Sequence, residues 1–231
     1  MLLGGAALEK LAASQVVVVG TGGVGAAAAE MLVRAGVGAI TLIDADSVSE
    51  SNLNRQLIAL NSTLGQMKTD VLQRRLLDIN PALQVRIIPE YIDESSIPAV
   101  LGGCKADFLV DAIDTLSPKI ALIQYCLKNG IPMVSSMGSG AKFDVSAIRI
   151  DDISKTHMCP LAHMLRKRLH KLGISTGFKA VYSVEEPRRE GTVIEESRNK
   201  KSQVGTISYL PTAFGCACAQ VAICALTEGL I

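Results

Sequence analysis

Short apolar runs alternate with stretches of helical periodicity over the first 150 residues of the chain. The runs are rich in Val, Ile and Leu, and they lie at residues 16–19, 40–43, 85–88, 108–110 and 131–134. Runs that are a few residues long and apolar throughout are typical of strands buried on both faces. Between the second and third runs, apolar residues recur at helical spacing over residues 64–80, and Pro81 closes that helix. The alternation predicts an α/β fold with a doubly wound, Rossmann-like, mainly parallel sheet.

The pattern changes after a strand-like run at residues 145–150. Residues 155–201 are polar and basic, with 11 Lys and Arg against 5 Asp and Glu, a local charge of +6. The rest of the chain carries a balance of −5, so the formal net charge of +1 conceals a basic segment on an acidic body. Such a segment is typical of a polyanion contact, although a solvated insertion would carry the same charges.

The longest apolar stretch, residues 213–226, lies near the end of the chain. Its 14 residues are too few to cross a bilayer, so they predict a buried helix. We expect a single domain over residues 1–231. Its three parts are a nucleotide-binding core, a long basic insertion or crossover, and a C-terminal helix, at residues 1–150, 151–210 and 211–231.

Composition narrows the class of protein. Aromatic residues make up 3% of the chain and Trp is absent, so aliphatic side chains must build the core. The six cysteines include no C-x-x-C pair, which argues against a zinc ribbon, and the N-terminus lacks a signal-peptide pattern. We therefore expect reduced thiols in a cytoplasmic protein that does not associate with membranes.

A glycine-rich motif follows the first apolar run and precedes an alanine-rich helical segment. Gly20, Gly22 and Gly25 have the spacing G-x-G-x-x-G, which permits a tight turn and places a phosphate at the N-terminus of the next helix. Asp44 follows the second run, where a carboxylate accepts hydrogen bonds from ribose hydroxyls. NAD and ATP both have these groups, so the motif alone is compatible with a dehydrogenase or an ATP-using enzyme.

Cationic and amide side chains just beyond Asp44 favour ATP. An enzyme that attacks the α-phosphate of ATP needs cations for the developing charge, whereas a dehydrogenase does not. The motifs are Gly20-Thr-Gly-Gly-Val-Gly25, the run at residues 44–56, Gly65-Gln-Met-Lys68 and Asp111-Ala-Ile-Asp114. In this combination the sequence resembles the E1-like adenylating superfamily, whose members activate carboxylates as acyl-adenylates.

The resemblance implies a role for each of these residues. The nucleotide would lie against the glycine loop and the ribose aspartate, which are Gly20, Gly22, Gly23, Gly25 and Asp44. Asn52, Arg55 and Lys68 would contact the phosphates of ATP, and Asp114 would hold Mg²⁺ on the triphosphate. The expected catalytic set is thus Arg55, Lys68 and Asp114. The alternatives are ordinary surface charges for Arg55 and Lys68 and a helix N-cap for Asp114.

The second half of the chain resembles one branch of that superfamily, the tRNA threonylcarbamoyladenosine dehydratases. The matching segments are residues 152–156, 159–162, 166–169, 181–187 and 205–211. The resemblance implies ATP-dependent cyclisation of N6-threonylcarbamoyladenosine in tRNA through an adenylated carboxylate. A sulfur-carrier-protein adenylyltransferase is the alternative enzyme, which the missing C-x-x-C pairs oppose. A non-enzymatic nucleotide-binding adaptor is opposed by the complete set of Arg55, Lys68 and Asp114.

The expected partner is tRNA, lying along the basic segment. Its predicted phosphate contacts are Arg166, Lys167, Arg168 and Lys171. The resemblance also implies a homodimer, and it leaves open whether a sulfur-relay protein docks.

Two features depart from the family pattern. The family usually begins with an Arg-containing segment that reaches the triphosphate. This sequence starts after that point, which would weaken phosphate binding unless the sequence is trimmed. Many relatives have Asp where Cys159 precedes Pro160. A thiol there could accept sulfur or an acyl group, but beyond His157 and His163 no base is evident, which favours an ordinary thiol.

Overall fold

A seven-stranded sheet organises the chain, which a computed structural model describes over residues 2–188, 192–193 and 203–230. The strands of this sheet are β1 Gln15–Val19, β2 Ala39–Ile43, β3 Gln84–Ile88, β4 Phe108–Asp111, β5 Met133–Ser136, β6 Ile148–Asp152 and β7 Lys179–Ser183. Their order is β3-β2-β1-β4-β5-β7-β6. All neighbours are parallel except β6 and β7, which are antiparallel. A separate antiparallel pair joins β8 Thr192–Val193 to β9 Gln203–Val204.

Helices connect the strands and cover both faces of the sheet. In the part of the chain that the structure describes they are α1 Gly4–Ala12, α2 Gly23–Arg34, α3 Lys68–Ile79, α4 Ile97–Gly102, α5 Leu116–Lys128, α6 Pro160–His170 and α7 Tyr209–Leu226. Alternate residues of β1 point to opposite faces, as in any strand. Val16 and Val18 belong to the core cluster that contains residues of α2, α3 and α7, whereas Val17 and Val19 belong to the cluster that contains residues of α4, α5 and α6. Burial on both faces explains why the run at residues 16–19 is apolar throughout.

The register brings three strand ends to the same edge of the sheet. Val19, the last residue of β1, pairs with Ile43 of β2 on one side and with Asp111 of β4 on the other. From β1 the chain first builds outward through β2 and β3, and then returns to add β4 on the opposite side. The crevice at such a reversal, beyond the carboxyl ends of the strands, is where doubly wound proteins bind their ligands.

Helix α7 packs closely along α2 because small residues line the contact. A Cβ on Gly215 would lie 2.5 Å from the carbonyl oxygen of Val24 and 2.7 Å from the Cβ of Ala27. Any larger residue at this position would separate the two helices. Within the described residues, α7 is the one helix long and apolar enough to cross a membrane by length and composition, and 44% of it is buried in the fold.

The predicted fold class is confirmed, with shifts at several boundaries. The helix expected over residues 64–80 begins at Lys68, because Gly65 turns the chain with a φ of +79°. The strand-like run at 145–150 starts as a 3₁₀ turn, Val145–Ala147, capped by Asp144, whose carboxylate accepts a hydrogen bond from the backbone N–H of Ser146.

The basic segment enters the main sheet. The segment contains α6 and β7. Strand β7 lies between β5 and β6, and four of the five residues of β7 are buried. The antiparallel neighbour β6 is the edge strand on that side. Residues 189–191 and 194–202, which carry part of the expected basic insertion, lie outside the described residues.

Candidate nucleotide-binding site

The glycine loop forms a tight turn between β1 and α2. Gly20 adopts a φ of +86°, and its N–H donates to the carbonyl of Ile43 at 2.8 Å. A Cβ on Gly20 would lie 2.8 Å from the carbonyl oxygen of Ala112, and one on Gly25 would lie 1.7 Å from that of Gly20. Both positions therefore require glycine, for conformation at the first and for space at both.

The N-terminus of α2 faces the crevice without a side-chain cap. Gly22 is the N-cap residue and makes no side-chain hydrogen bond to the helix. The first amides of α2 and the helix dipole together favour an anion at this place. A Cβ on Gly23 would lie 2.9 Å from Cβ of Pro211 and 3.2 Å from the carbonyl oxygen of Arg55, so the loop is enclosed by two other segments.

Asp44 braces the glycine loop from the end of β2. Its Oδ2 accepts hydrogen bonds from the N–H and the hydroxyl of Thr21, at 2.6 and 3.0 Å. Its Oδ1 accepts from the N–H of Asp46 at 2.9 Å. The carboxylate is half-buried. It therefore fixes the position of the glycine loop relative to the end of β2.

Lys68 is connected to Asp44 through Asp46. It opens α3 and is 6% exposed, and its Nζ donates to Oδ2 of Asp46 at 2.7 Å. Since the N–H of Asp46 is bonded to Asp44, a continuous chain of contacts links the ammonium to the glycine loop. Sequence reasoning missed Asp46, although its place two residues after Asp44 is the signal that could have found it.

Arg55 and Asn52 lie on the turn that faces α2. The guanidinium of Arg55 donates from Nη1 to the carbonyl of Ser51 at 2.7 Å and to Oδ1 of Asn54 at 2.8 Å. Asn52 is buried, and its Oδ1 accepts from the N–H of Ser49 at 3.1 Å, closing the 3₁₀ turn Glu50–Asn52. Asn52 thus shapes the turn, whereas Arg55 is half-exposed at its surface.

Asp114 is exposed on the turn between β4 and α5. The N-cap of α5 is Thr115, so this helix does not use Asp114 as its N-cap residue. Ala112, two residues before Asp114, packs against Gly20 and Gly25. The expected metal ligand therefore lies on the turn next to the glycine loop.

A fully buried network anchors that turn from below. Lys119 donates to Oδ2 of Asp111 at 2.6 Å and to Oγ of Ser135 at 3.1 Å, and the Ser135 hydroxyl donates to the same Asp111 oxygen at 2.7 Å. Oδ1 of Asp111 accepts from the N–H of Ile113 at 3.1 Å. All three side chains are inaccessible to solvent. Sequence reasoning missed Lys119 and Ser135, whose signal is a polar residue in an otherwise apolar pattern.

The four predicted nucleic-acid contacts divide into two groups on α6 and its C-cap. Lys167, Arg168 and Lys171 are exposed, and their spacing places them on one face of the helix. Arg166 is half-buried and donates a hydrogen bond to the hydroxyl of Thr156 instead. The structure therefore assembles three of the four as an open cationic surface.

Cys159 lies at the N-cap of α6 and is buried. Its charge acts on Lys142, a residue that is 2% exposed and whose ammonium donates to the carbonyl of Ser183 at 3.0 Å. Burial lowers the pKa of Lys142, and the neighbouring Cys159 and Glu185 oppose that shift. Within the described residues, no group of three or more His, Cys, Asp and Glu side chains could hold a metal ion.

Fold and site together define a class of protein. A doubly wound sheet carries a glycine loop, a carboxylate at the end of the second strand and a buried lysine at its topological switch point, which is the arrangement of nucleotide-binding α/β proteins. The model of the ThiF family matches residues 1–229, and the chain belongs to this family.

Curated relatives and solved structures agree with that membership. The chain is 44% identical over 223 residues to the tRNA threonylcarbamoyladenosine dehydratase of Bacillus subtilis, covering 93% of this chain and 87% of the relative. The solved structure of Escherichia coli tRNA N6-threonylcarbamoyladenosine dehydratase in complex with ATP superposes with a TM-score of 0.90 at 34% identity. That match covers 98% of this chain and 90% of the other.

A more distant relative represents the alternative enzyme class. The molybdopterin-synthase adenylyltransferase of Escherichia coli is 31% identical over 151 residues, which is 65% of this chain and 60% of the relative. The similarity to the dehydratases is both higher and more extensive. It includes the second half of the chain, whose segments resemble those of the dehydratases.

Proposed function

We propose that this protein is an ATP-dependent tRNA threonylcarbamoyladenosine dehydratase. The observation that carries the proposal is the meeting of the glycine loop, Asp44, Lys68 and Asp114 at one edge of the sheet, in a chain whose relatives bear that activity in their names. ATP binds with a phosphate at the N-terminus of α2 and its ribose at Asp44.

The reaction has two steps. The carboxylate of the threonylcarbamoyl group attacks the α-phosphorus of ATP, and pyrophosphate leaves. The carbamoyl oxygen of the same group then attacks the acyl-adenylate, AMP leaves with one carboxylate oxygen, and an adjacent N–H gives up its proton to solvent as the ring closes. The net loss from the nucleoside is one water. Because both reacting groups belong to the substrate, the protein contributes position and charge and needs no nucleophile of its own.

Arg55 and Lys68 supply the positive charge for the first step. Negative charge moves onto the leaving pyrophosphate and the α-phosphate oxygens, where preorganised cations stabilise the transition state. The Asp46 carboxylate holds Lys68 in place before ATP arrives. Arg55 offers a planar fork that matches two phosphate oxygens.

Asp114 would hold Mg²⁺ on the triphosphate. The donor set fits this ion, since Mg²⁺ binds through one or two carboxylates together with phosphate oxygens and water rather than through a cage of protein ligands. An exposed carboxylate beside the glycine loop offers that single contact. When bound, the ion would neutralise charge on the triphosphate.

The tRNA contacts the exposed cationic face of α6 formed by Lys167, Arg168 and Lys171. A homodimer is also part of the proposal. α7 contains no charged residue, and it exposes an uncharged strip of Cys216, Gln220 and Cys224 that would be suited to a second copy of the chain. We infer a cytoplasmic location from the reduced cysteines, and a sulfur-relay partner is compatible with the exposed thiols.

Mass spectrometry of tRNA nucleosides tests the proposed function. Incubation of threonylcarbamoylated tRNA with the protein, ATP and Mg²⁺ should convert the modified nucleoside to a form lighter by one water. Omission of ATP should leave the nucleoside unchanged. Adenylation of a sulfur-carrier protein without any change in the tRNA would instead assign the chain to the alternative class.

A further inference from the structure

Gln56 lies against the glycine loop with a polar atom that the fold leaves unpaired. The residue is 8% exposed, and its Oε1 is shielded from solvent without a hydrogen-bond partner among the described residues. Its Nε2 lies 3.6 Å from the position that a Cβ on Gly22 would take. The carboxamide is therefore packed on the N-cap residue of α2.

The backbone holds Gln56 firmly in this place. Its N–H donates to the carbonyl of Asn52 at 3.0 Å, and its own carbonyl accepts from Ala59 at 3.0 Å. The carbonyl oxygen of the preceding residue, Arg55, lies 3.2 Å from the position that a Cβ on Gly23 would take. The turn thus places the carboxamide of Gln56 beside the N-terminus of α2, where the backbone N–H groups have no side-chain cap.

The fold alone does not account for a polar side chain here. A buried amide with an unpaired oxygen destabilises a protein relative to an apolar side chain of the same size. The open amides of α2 attract an anion, and the Nε2 of Gln56 adds a donor next to them. We propose that Gln56 is a ligand-contacting residue that donates a hydrogen bond from Nε2 to an anionic oxygen bound at the N-terminus of α2.

This inference rests on the proposed function, which supplies two anionic groups with the same chemistry. One is the α-phosphate of the nucleotide, and the other is the carboxylate that attacks it. Both groups must meet at the glycine loop when the acyl-adenylate forms. Gln56 would then help to hold the reacting oxygens in line.

The main test replaces Gln56 with an apolar residue of similar length. Gln56→Met should keep or raise the melting temperature, because an unpaired buried oxygen is removed, and should lower kcat/KM at least tenfold. Thr69→Val is the matched control. It removes the other buried unpaired oxygen of the described residues, at a position that is 0% exposed on α3, and its kinetics should equal those of the wild type.

Calorimetry with AMP and ATP, and single-turnover cyclisation of tRNA, separate the two anions. Weaker nucleotide binding by Gln56→Met identifies the phosphate as the partner. Unchanged nucleotide binding with slower cyclisation identifies the carboxylate. If Gln56→Met matches Thr69→Val in both measurements, the inference is wrong.

Two further outcomes keep the result interpretable. If Gln56→Met does not fold, Gln56→Glu provides a second test, because it preserves the shape of the side chain. Its carboxylate repels the anion, so it should bind AMP at least tenfold more weakly than the wild type. Equal affinity overturns the inference. If the wild type binds nucleotide but cyclises no tRNA, the proposed function fails. Calorimetry then decides the role of Gln56, and unchanged nucleotide affinity in Gln56→Met refutes it.

Discussion

The nucleotide edge of the sheet and the exposed face of α6 hold their charges in opposite ways. Lys68 is almost fully buried and paired with Asp46, and the Asp44 carboxylate accepts three hydrogen bonds. Lys167 and Arg168 extend into solvent from one face of a helix. Paired charges and exposed charges suit two different kinds of ligand. A small nucleotide at a reacting centre needs charges fixed in advance, whereas a long polyanion is attracted by a cationic surface of mobile side chains.

The largest effect is expected from removing a cation at the nucleotide edge. Arg55→Ala should lower kcat/KM by two to three orders of magnitude, about 3–4 kcal/mol of lost transition-state stabilisation. The melting temperature should change little, because the partners of the guanidinium, Ser51 and Asn54, are exposed. Steady-state kinetics of AMP formation measures the loss. Wild-type activity in Arg55→Ala would contradict the ATP assignment.

A second substitution at the same edge tests the metal role. Asp114→Asn retains the shape of the side chain and removes the charge that a cation requires, so turnover should fall by about 100-fold at constant melting temperature. Activity is measured over a Mg²⁺ titration. Asp78→Asn, a change at an exposed site on α3, serves as the control and should behave like the wild type. Full turnover of Asp114→Asn at low Mg²⁺ would remove the residue from the metal site.

Charge reversal on α6 should give a smaller and salt-dependent effect. Replacing Lys167 and Arg168 with Glu should weaken tRNA binding and reduce the slope of log affinity against log salt by about 2, since each lost phosphate contact releases one counterion fewer. ATP affinity should be unchanged. The control reverses Lys10 and Lys128, which are exposed on α1 and α5. If both double variants lose the same tRNA affinity, net charge rather than this face explains the binding.

Two buried thiols near the Asp111 network should make stability sensitive to alkali. Burial, assisted by the charge of Asp111, raises the pKa of Cys126 from 9.0 to about 12, and burial raises that of Cys218 to the same value. The unfolded chain loses these protons first, so the stabilising contribution is complete below pH 9 and is lost as the pH rises toward 12.

Denaturant unfolding at pH 8 and pH 10.5 measures this loss. Each thiol should contribute a fall of about 1.4 kcal/mol per pH unit above pH 9 and almost none below it. Cys126→Ala, although less stable at pH 8, should show a shallower fall with pH. An unchanged slope in that variant would mean that other groups cause the alkaline loss.

Much of the fold could be predicted because its signals are local. The apolar runs at residues 16–19 and 40–43 became β1 and β2, and the glycine spacing correctly indicated a strand, a turn and a helix. Boundaries were less certain wherever a single turn decides them, as Gly65 does for the start of α3. The place of β7 inside the sheet depends on pairing with β5 and β6, which no local pattern encodes.

The residues of the candidate site also divide into those with a local sequence signal and those whose role depends on tertiary contacts. Asp44, Arg55, Lys68 and Asp114 belong to motifs with characteristic spacing, so the sequence alone singled them out. Asp46, Lys119, Ser135 and Gln56 were missed, although Asp46 and Gln56 belong to the run at residues 44–56 and the other two interrupt apolar patterns. Their importance lies in distances to residues far away in the chain, such as the 2.6 Å between Lys119 and Asp111 or the approach of Gln56 to Gly22.

The sequence by itself determined the alternation of strands and helices, the glycine turn and the chemical groups available at the nucleotide edge. These depend on residue type and on spacing within about a dozen positions, which local sterics and burial translate directly into structure. Only the tertiary structure decided which cations are held and which are free. Arg166 and Lys167 are neighbours in the sequence, yet one bonds to Thr156 and the other faces solvent, because the packing of α6 against the fold gives the two side chains opposite surroundings.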